Sequence, residues 1–197
     1  MLNVYTKGDS IENLGDFVMS DIVKNFYHLK QFEKEKVVLS DHIPLQKPLR
    51  LSIDVSNICN FRCKMCPTGN VKLLKEVGRP TGMMKFDLFK KIINDVEEIG
   101  GIKSVGFYGE GEPLTNPHYN DMLDYAIKKN VFKDTMITTN ASLLDKERAE
   151  YIINSGIKVL RVSLYGLDNR TYQITTRQNH FGFDDIINNI KGFYEIR

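Results

Sequence analysis

The sequence predicts an α/β fold in which a parallel sheet is covered by helices. Two observations carry this. From Leu49 onward, short apolar runs of strand length alternate with longer stretches whose apolar residues recur every three or four positions, and no internal repeat or low-complexity tract interrupts the series. With 27 Lys plus Arg against 25 Asp plus Glu in 197 residues, the net charge of +2 lacks the excess that nucleic acid or an acidic membrane surface would select. A hydrophobic share of 42% is enough for a packed core and too high for a disordered chain.

Behind Ser10, a candidate N-cap, Ile11, Leu14, Val18, Ile22, Phe26, Leu29 and Phe32 fall at helical spacing and predict one amphipathic helix over 10–36, most simply packed on its own domain. Pro44 and Pro48 break the pattern. Leu49, Leu51, Ile53 and Val55 then alternate with Arg50, Ser52, Asp54 and Ser56, the period of a strand. Helices are expected over 84–99, after Asn116-Pro117 with Asn116 as N-cap, over 144–155 and over 183–196; strands are expected over 103–108, 135–139 and 158–165. Phe183, Ile186, Ile187, Ile190 and Phe193 form the stripe that seats the last helix. The chain therefore divides into a helical extension, 1–48, and a core of four strand–helix units, 49–197. Four parallel strands cannot close a small barrel, which takes about eight, so the sheet is open or is continued by residues beyond this chain.

No segment reaches the apolar length of a spanning helix, and residues 1–10 lack the basic and apolar regions of a leader, which reads as cytoplasmic. The three cysteines, Cys59, Cys63 and Cys66, sit within eight positions directly after the first strand. An odd, clustered set is no disulfide framework and points to a metal centre. Thiolates suit iron–sulfur clusters or zinc, but structural zinc takes four ligands, so a zinc site would need a histidine such as His118 or His180. A cubane cluster has four irons, and three cysteines leave one of them open.

The spacing C-x3-C-x2-C after a first strand resembles the radical S-adenosylmethionine (radical SAM) superfamily. That resemblance implies a [4Fe–4S] cluster on Cys59, Cys63 and Cys66, with the amino and carboxylate groups of S-adenosylmethionine on the open iron. It also implies reductive cleavage to methionine and a 5′-deoxyadenosyl radical that abstracts hydrogen from a substrate. Later motifs keep the same order. Tyr108-Gly109-Glu110-Gly111-Glu112-Pro113 resembles the family's glycine–glutamate–proline segment that receives the methionine amino group, with Gly109 and Gly111 permitting close approach and Glu112, preferred to Glu110, supplying a carboxylate. Thr138-Thr139-Asn140 and Val162-Ser163-Leu164 resemble the ends of the third and fourth strands, which implies polar contacts from Asn140 and Ser163 to ribose or the methionine carboxylate. Arg177 resembles an arginine that pairs with that carboxylate, with Arg170 as a nearby rival, and Met65 takes the apolar position near adenine.

The resemblance spans 49–197 and implies a partial parallel (β/α) barrel of the radical SAM type, incomplete at the C-terminus, preceded by an N-terminal helix. Gly82-Met83-Met84 and the segment 112–118 look most like the branch that carries C-terminal SPASM or twitch domains. Members have six strand–helix units, so two units and any auxiliary domain would lie outside this chain. The implied partners are a peptide, sugar or cofactor-precursor substrate and an electron donor such as flavodoxin or ferredoxin, with no nucleic acid and no membrane. The plainer alternative is a non-catalytic zinc- or iron–sulfur-binding module or an inactive fragment. Position by position, Asn140 and Ser163 also fit ordinary turn hydrogen bonding, and residues 109–113 fit a strand-closing turn. Tyr108, Tyr165, His118 and Asp54 lie near strand ends and receive no role.

Overall fold

Four short segments pair side by side in one direction, and buried runs such as Val105, Gly106 and Phe107 in succession suit a parallel sheet with helices over it. In the computed structural model, which describes residues 2–5, 40 and 43–197, the strands are β1 (Leu2–Tyr5), β2 (Arg50–Ile53), β3 (Ile102–Phe107), β4 (Phe132–Thr139) and β5 (Val159–Val162). The sheet order is β1-β5-β4-β3-β2; β2 to β5 are parallel, and β1 runs antiparallel along β5. With β1 and β2 at its edges the sheet is open, the geometry expected of a partial barrel. The amphipathic stretch read over 10–36 lies outside the described residues. β1 is an addition to the expected architecture, since four residues carry too little pattern to be read as a strand.

Parallel neighbours need a crossover, and the helices supply it. In chain order these are α1 (Val71–Glu76), α2 (Phe86–Glu98), α3 (Tyr119–Lys129), α4 (Lys146–Ser155), α5 (Asn169–Thr176) and α6 (Phe183–Ile196). One register row fixes the core: Ile53 pairs with Phe107, Phe107 with Ile137 and Ile137 with Leu160, and all four are buried. They share one buried cluster with Phe89 and Ile93 of α2, Met122 and Leu123 of α3, Ile152 of α4, and Ile186 and Phe193 of α6. Each such side chain contributes about 1.5–3 kcal/mol on burial. The same register brings the carboxyl ends of β2, β3, β4 and β5 to one edge of the sheet, so the loops that follow Ile53, Phe107, Thr139 and Val162 emerge side by side.

Several boundaries differ from the sequence reading. β2 stops at Ile53 rather than Ser56, and α3 starts at Tyr119 with His118 at its N-cap rather than Asn116. Asn116 is buried just before it, its amide donating to the carbonyls of Val55 at 2.8 Å and Met84 at 3.1 Å while its Oδ1 accepts the His118 N–H at 2.9 Å, so one side chain ties the helix start to the loop after β2. Two helices, α1 and α5, have no counterpart in the sequence pattern. α5 is the polar run NRTYQITT, weak in helix propensity, and forms because the Asp168 carboxylate accepts the Thr171 N–H at 2.7 Å in a capping box. No helix among the described residues is long and apolar enough to cross a membrane.

Candidate functional site

The cysteine loop is held from three sides. On the first, its entry is pinned to the turn after β3. The Glu112 N–H donates to the Ile58 carbonyl at 2.9 Å, Ser56 and Thr115 hydroxyls meet at 2.8 Å, and the Thr115 hydroxyl donates to the Glu112 carbonyl at 2.6 Å. A Cβ at Gly111 would collide with the Ser56 and Ile58 carbonyls, and one at Gly109 with the Asp54 carboxyl. Gly111 thus lets two stretches of this chain's own backbone approach closely, and Gly109 makes room for the Asp54 side chain. Asp54 accepts the Glu110 N–H at 3.0 Å, and burial raises its carboxyl above the usual range.

On the second side the loop is tied to the end of β4 by a closed ring of hydrogen bonds. The Asn140 amide donates to Asn60 Oδ1 at 2.8 Å, the Asn60 amide to Ser142 Oγ at 2.8 Å, and the Ser142 hydroxyl back to Asn140 Oδ1 at 2.6 Å. Such cycles polarise one another and fix orientation. Asn140 Nδ2 also lies 3.9 Å from Cys59 Sγ, and the Phe61 N–H donates to the same sulfur at 3.4 Å.

The third side is α5. Its last two carbonyls, Thr175 and Thr176, accept the N–H groups of Lys64 at 2.9 Å and Arg62 at 3.0 Å, so the residues flanking Cys63 satisfy a helix terminus that would otherwise leave its carbonyls unpaired. Phe61, buried, meets Tyr172 of α5 edge-on at 6.1 Å. This sets Arg177, which ends α5 in the left-handed region, next to the cysteine loop. Arg170, in the first turn, is two helical turns away, about 10 Å along the axis.

The three cysteines carry free thiols; Cys63 is buried and the other two partly so. Burial pushes the Cys63 thiol up to about 11, with Cys59 and Cys66 adding to it, and burial likewise raises Cys59. The three sulfurs therefore feel one another, and binding a metal must displace their protons. Yet among the described residues no three His, Cys, Asp or Glu side chains converge as one metal ion demands. A single zinc with sulfurs at about 2.3 Å would draw them together and require a fourth ligand; three thiols spread around one loop suit a larger object that takes one sulfur per iron. Three buried hydroxyls, Tyr119 Oη, Thr138 Oγ1 and Tyr172 Oη, have no hydrogen-bond partner within the described protein, and of these Tyr172 lies within the electrostatic reach of Cys63. The donor set and the orphaned Tyr172 hydroxyl both fit an iron–sulfur cluster.

Of the two glutamates, Glu112 is buried and Glu110 is half exposed and ion-paired with Arg79. Both oxygens of Glu112 are already used: Oε1 accepts from the Thr139 hydroxyl at 2.6 Å and the Leu114 N–H at 3.2 Å, and Oε2 from the Asn140 N–H at 2.7 Å. Burial pushes its carboxyl up to about 7 against the pull of these donors. Met65 is exposed beside the cysteines, and the Ser163 N–H joins the Thr139 carbonyl at 2.8 Å, which sets Ser163 beside Asn140. Asn60, Thr68 and Tyr172 belong to the same neighbourhood without standing out in the sequence; Asn60 lies inside the cysteine motif, whereas Tyr172 becomes visible only with α5. A cavity of about 860 Å³ opens at the other end of the strands, among Lys47, Leu49, Gly101, Val131, Lys133 and Lys158, and touches none of the predicted site residues.

The model of the Radical SAM superfamily matches residues 53–196. The chain belongs to that superfamily. Its members use a [4Fe–4S] cluster and S-adenosylmethionine. Among curated relatives, a "tungsten-containing aldehyde ferredoxin oxidoreductase cofactor-modifying protein" of Pyrococcus furiosus is 32% identical over 114 residues, 58% of this chain and 30% of the relative. A GTP 3',8-cyclase of Tolumonas auensis is 29% identical over 132 residues, 66% of this chain and 36% of the relative. The chain thus spans about a third of the length of these radical SAM relatives. Of solved structures, Streptococcus suis SuiB bound to S-adenosylmethionine superposes with a TM-score of 0.61 at 22% identity over 90% of this chain and 43% of that one. Native anSMEcpe with bound AdoMet also gives 0.61, at 19% identity over 76% and 41%. At such identity these two establish the likeness of fold.

Proposed function

We propose that this chain forms the cofactor end of a radical SAM enzyme, with Cys59, Cys63 and Cys66 each holding one iron of a [4Fe–4S] cluster and the fourth iron left for S-adenosylmethionine. The observation that carries the reading is the convergence of the cysteine loop with the ends of β3 and β4, through Glu112 to Ile58 and through the ring of Asn140, Asn60 and Ser142. When bound, the two groups supply a reductively generated 5′-deoxyadenosyl radical that takes a hydrogen atom from an organic substrate, with a flavodoxin- or ferredoxin-type protein as the source of the electron.

The chain's own residues have four tasks. The cysteine loop must keep its three sulfurs in one arrangement while their protons leave, and its bonds to α5, β3 and β4 hold it there. Asn140 and the Phe61 N–H aim at Cys59 Sγ, stabilising negative charge on that sulfur. Glu112 acts by holding the ends of β3 and β4 at fixed spacing, which positions the backbone of residues 109–111 and the side chain of Asn140. Ser163, Met65 and Arg177 line the same edge and are assigned to ribose, adenine and the methionine carboxylate in turn. Packing by Phe61, Tyr172 and Phe181 excludes water from the back of the loop.

Anaerobic reconstitution with iron and sulfide, followed by electron paramagnetic resonance of the reduced protein, tests this. A cubane signal that changes on adding S-adenosylmethionine, and that Cys63→Ala abolishes, is the expected result. A colourless protein that binds one zinc, or a cluster signal indifferent to S-adenosylmethionine, would return the cysteines to a structural role.

A further inference from the structure

Thr68 stands in the short 3-10 turn Pro67–Gly69 that closes the cysteine loop, and it is buried at 7% exposure. Its hydroxyl oxygen lies 2.8 Å from Cys66 Sγ and donates to the Glu110 carbonyl at 2.7 Å. A hydroxyl has one proton to give. Both contacts are satisfied together only while Cys66 itself supplies a proton to Thr68. A sulfur that holds iron carries none and offers only lone pairs, so the contact can then persist only as a hydrogen bond from Thr68 to sulfur. We propose that Thr68 is a positioning residue for the cluster: its hydroxyl turns from the Glu110 carbonyl to the Cys66 sulfur when that sulfur binds iron.

The geometry supports this in two ways. The turn is anchored independently of the hydroxyl, by the Gly69 N–H on the Cys66 carbonyl at 3.0 Å and the Cys66 N–H on the Cys63 carbonyl at 3.1 Å, so rotation about the Thr68 side chain needs no backbone movement. Cys59 already has chain donors in the Phe61 N–H and the Asn140 amide, and Thr68 extends the same provision to Cys66. Hydrogen bonds to cluster sulfurs stabilise the reduced, more negative state and raise the reduction potential. The switch also withdraws the donor from the Glu110 carbonyl, leaving that oxygen open within the turn after β3.

The inference rests on the radical SAM reading above, and one experiment separates the two. Wild type, Thr68→Val and Thr68→Ser are reconstituted anaerobically, their iron and sulfide per chain measured, and their clusters titrated by electron paramagnetic resonance at controlled potential. Thr68→Val, which keeps the shape and removes the hydroxyl, is expected to carry as much iron as wild type at a more negative midpoint, and Thr68→Ser to restore the wild-type midpoint. A wild-type cluster whose midpoint Thr68→Val leaves unmoved overturns the role of Thr68 while the parent reading stands. So does a Thr68→Ser midpoint displaced as far as that of Thr68→Val. Should Thr68→Val assemble no cluster, Thr68→Ala replaces it under the same criteria. A wild type that assembles no cubane overturns both readings.

Discussion

The Glu112 carboxylate accepts the main-chain N–H of Asn140 at 2.7 Å, and through that bond the turn after β3 is fastened to the end of β4. The same carboxylate accepts the Thr139 hydroxyl and the Leu114 N–H, so one buried side chain satisfies three donors drawn from two strand ends. Removing it in Glu112→Ala leaves all three donors without a partner in a dry site. At about 1–3 kcal/mol for each buried unsatisfied group, relieved in part by water entry, a loss of about 3–5 kcal/mol is expected. Urea denaturation of the metal-free proteins measures it, and a loss below about 1 kcal/mol, the worth of one ordinary hydrogen bond, would show that Glu112 is not the clasp between the strands.

Glu112 also makes stability depend on pH in a defined window. Its folded carboxyl titrates at about 7 against an ordinary 4.5, so the folded protein holds this proton more tightly than the unfolded chain does. The resulting stabilisation is fully present below pH 4.5 and is lost as pH rises through 7. Asp87 and Asp168 act in the opposite sense, but their carboxyls are held below the usual 3.8, so their window lies at more acid pH. A tenfold difference in proton affinity is worth about 1.4 kcal/mol, so wild type is expected to lose up to about 3 kcal/mol relative to Glu112→Gln as pH rises from about 4.5 to about 8. Denaturation midpoints of the two proteins across that range provide the check, and a difference constant with pH would place the titration elsewhere.

Two glycines should respond in opposite directions. Gly111 lies where the turn after β3 presses on the cysteine loop, and a methyl group there meets two backbone carbonyls that cannot move without opening the loop. Gly111→Ala is expected to cost about 2–3 kcal/mol, in the range of overpacking, and to lower iron retention. Gly192 sits inside α6 with open space around its Cβ position. Gly192→Ala is expected to stabilise by about 0.5–1 kcal/mol, the gain in helix propensity. Thermal melts of both variants suffice, and a neutral Gly111→Ala would refute the packing argument.

How far the sequence can be read follows from where its information is local. The alternation of Leu51, Ile53 and Val55 and the stripe of α6 are periodic over many residues, so strands, helices and the parallel order are legible, as are three cysteines at fixed spacing. The roles of Asn116 and Glu112 are not, because each depends on carbonyls, a hydroxyl or an amide brought up from 27 to 61 positions away. Nor is α5, whose eight residues owe their helix to an Asp168 cap and to N–H groups of the cysteine loop, neither of which leaves a periodic trace. In the sequence, Gly109 and Gly111 make room for a ligand; in the structure, Asp54 and residues 56–58 fill that room.

Tyr172 offers a test that reads the same loop from behind. Its ring is fully buried and packs edge-on against Phe61 at 6.1 Å and Phe183 at 6.2 Å, while its hydroxyl has no partner among the described residues. An unpaired buried hydroxyl is a net cost, so Tyr172→Phe, which keeps every ring contact, is expected to stabilise the metal-free protein by about 1 kcal/mol. Tyr172→Ala, which empties the space, should instead cost about 3–5 kcal/mol. A cluster held by Cys63 would alter the comparison, because Tyr172 lies within the electrostatic reach of that cysteine and sulfur there would offer the hydroxyl an acceptor. The advantage of Tyr172→Phe should therefore shrink or reverse after anaerobic reconstitution. Paired denaturation curves with and without iron and sulfide decide it: a Tyr172→Phe variant already destabilised without metal would mean that the hydroxyl has a partner in the resting protein, and an advantage unchanged by the cluster would mean that it faces away from it.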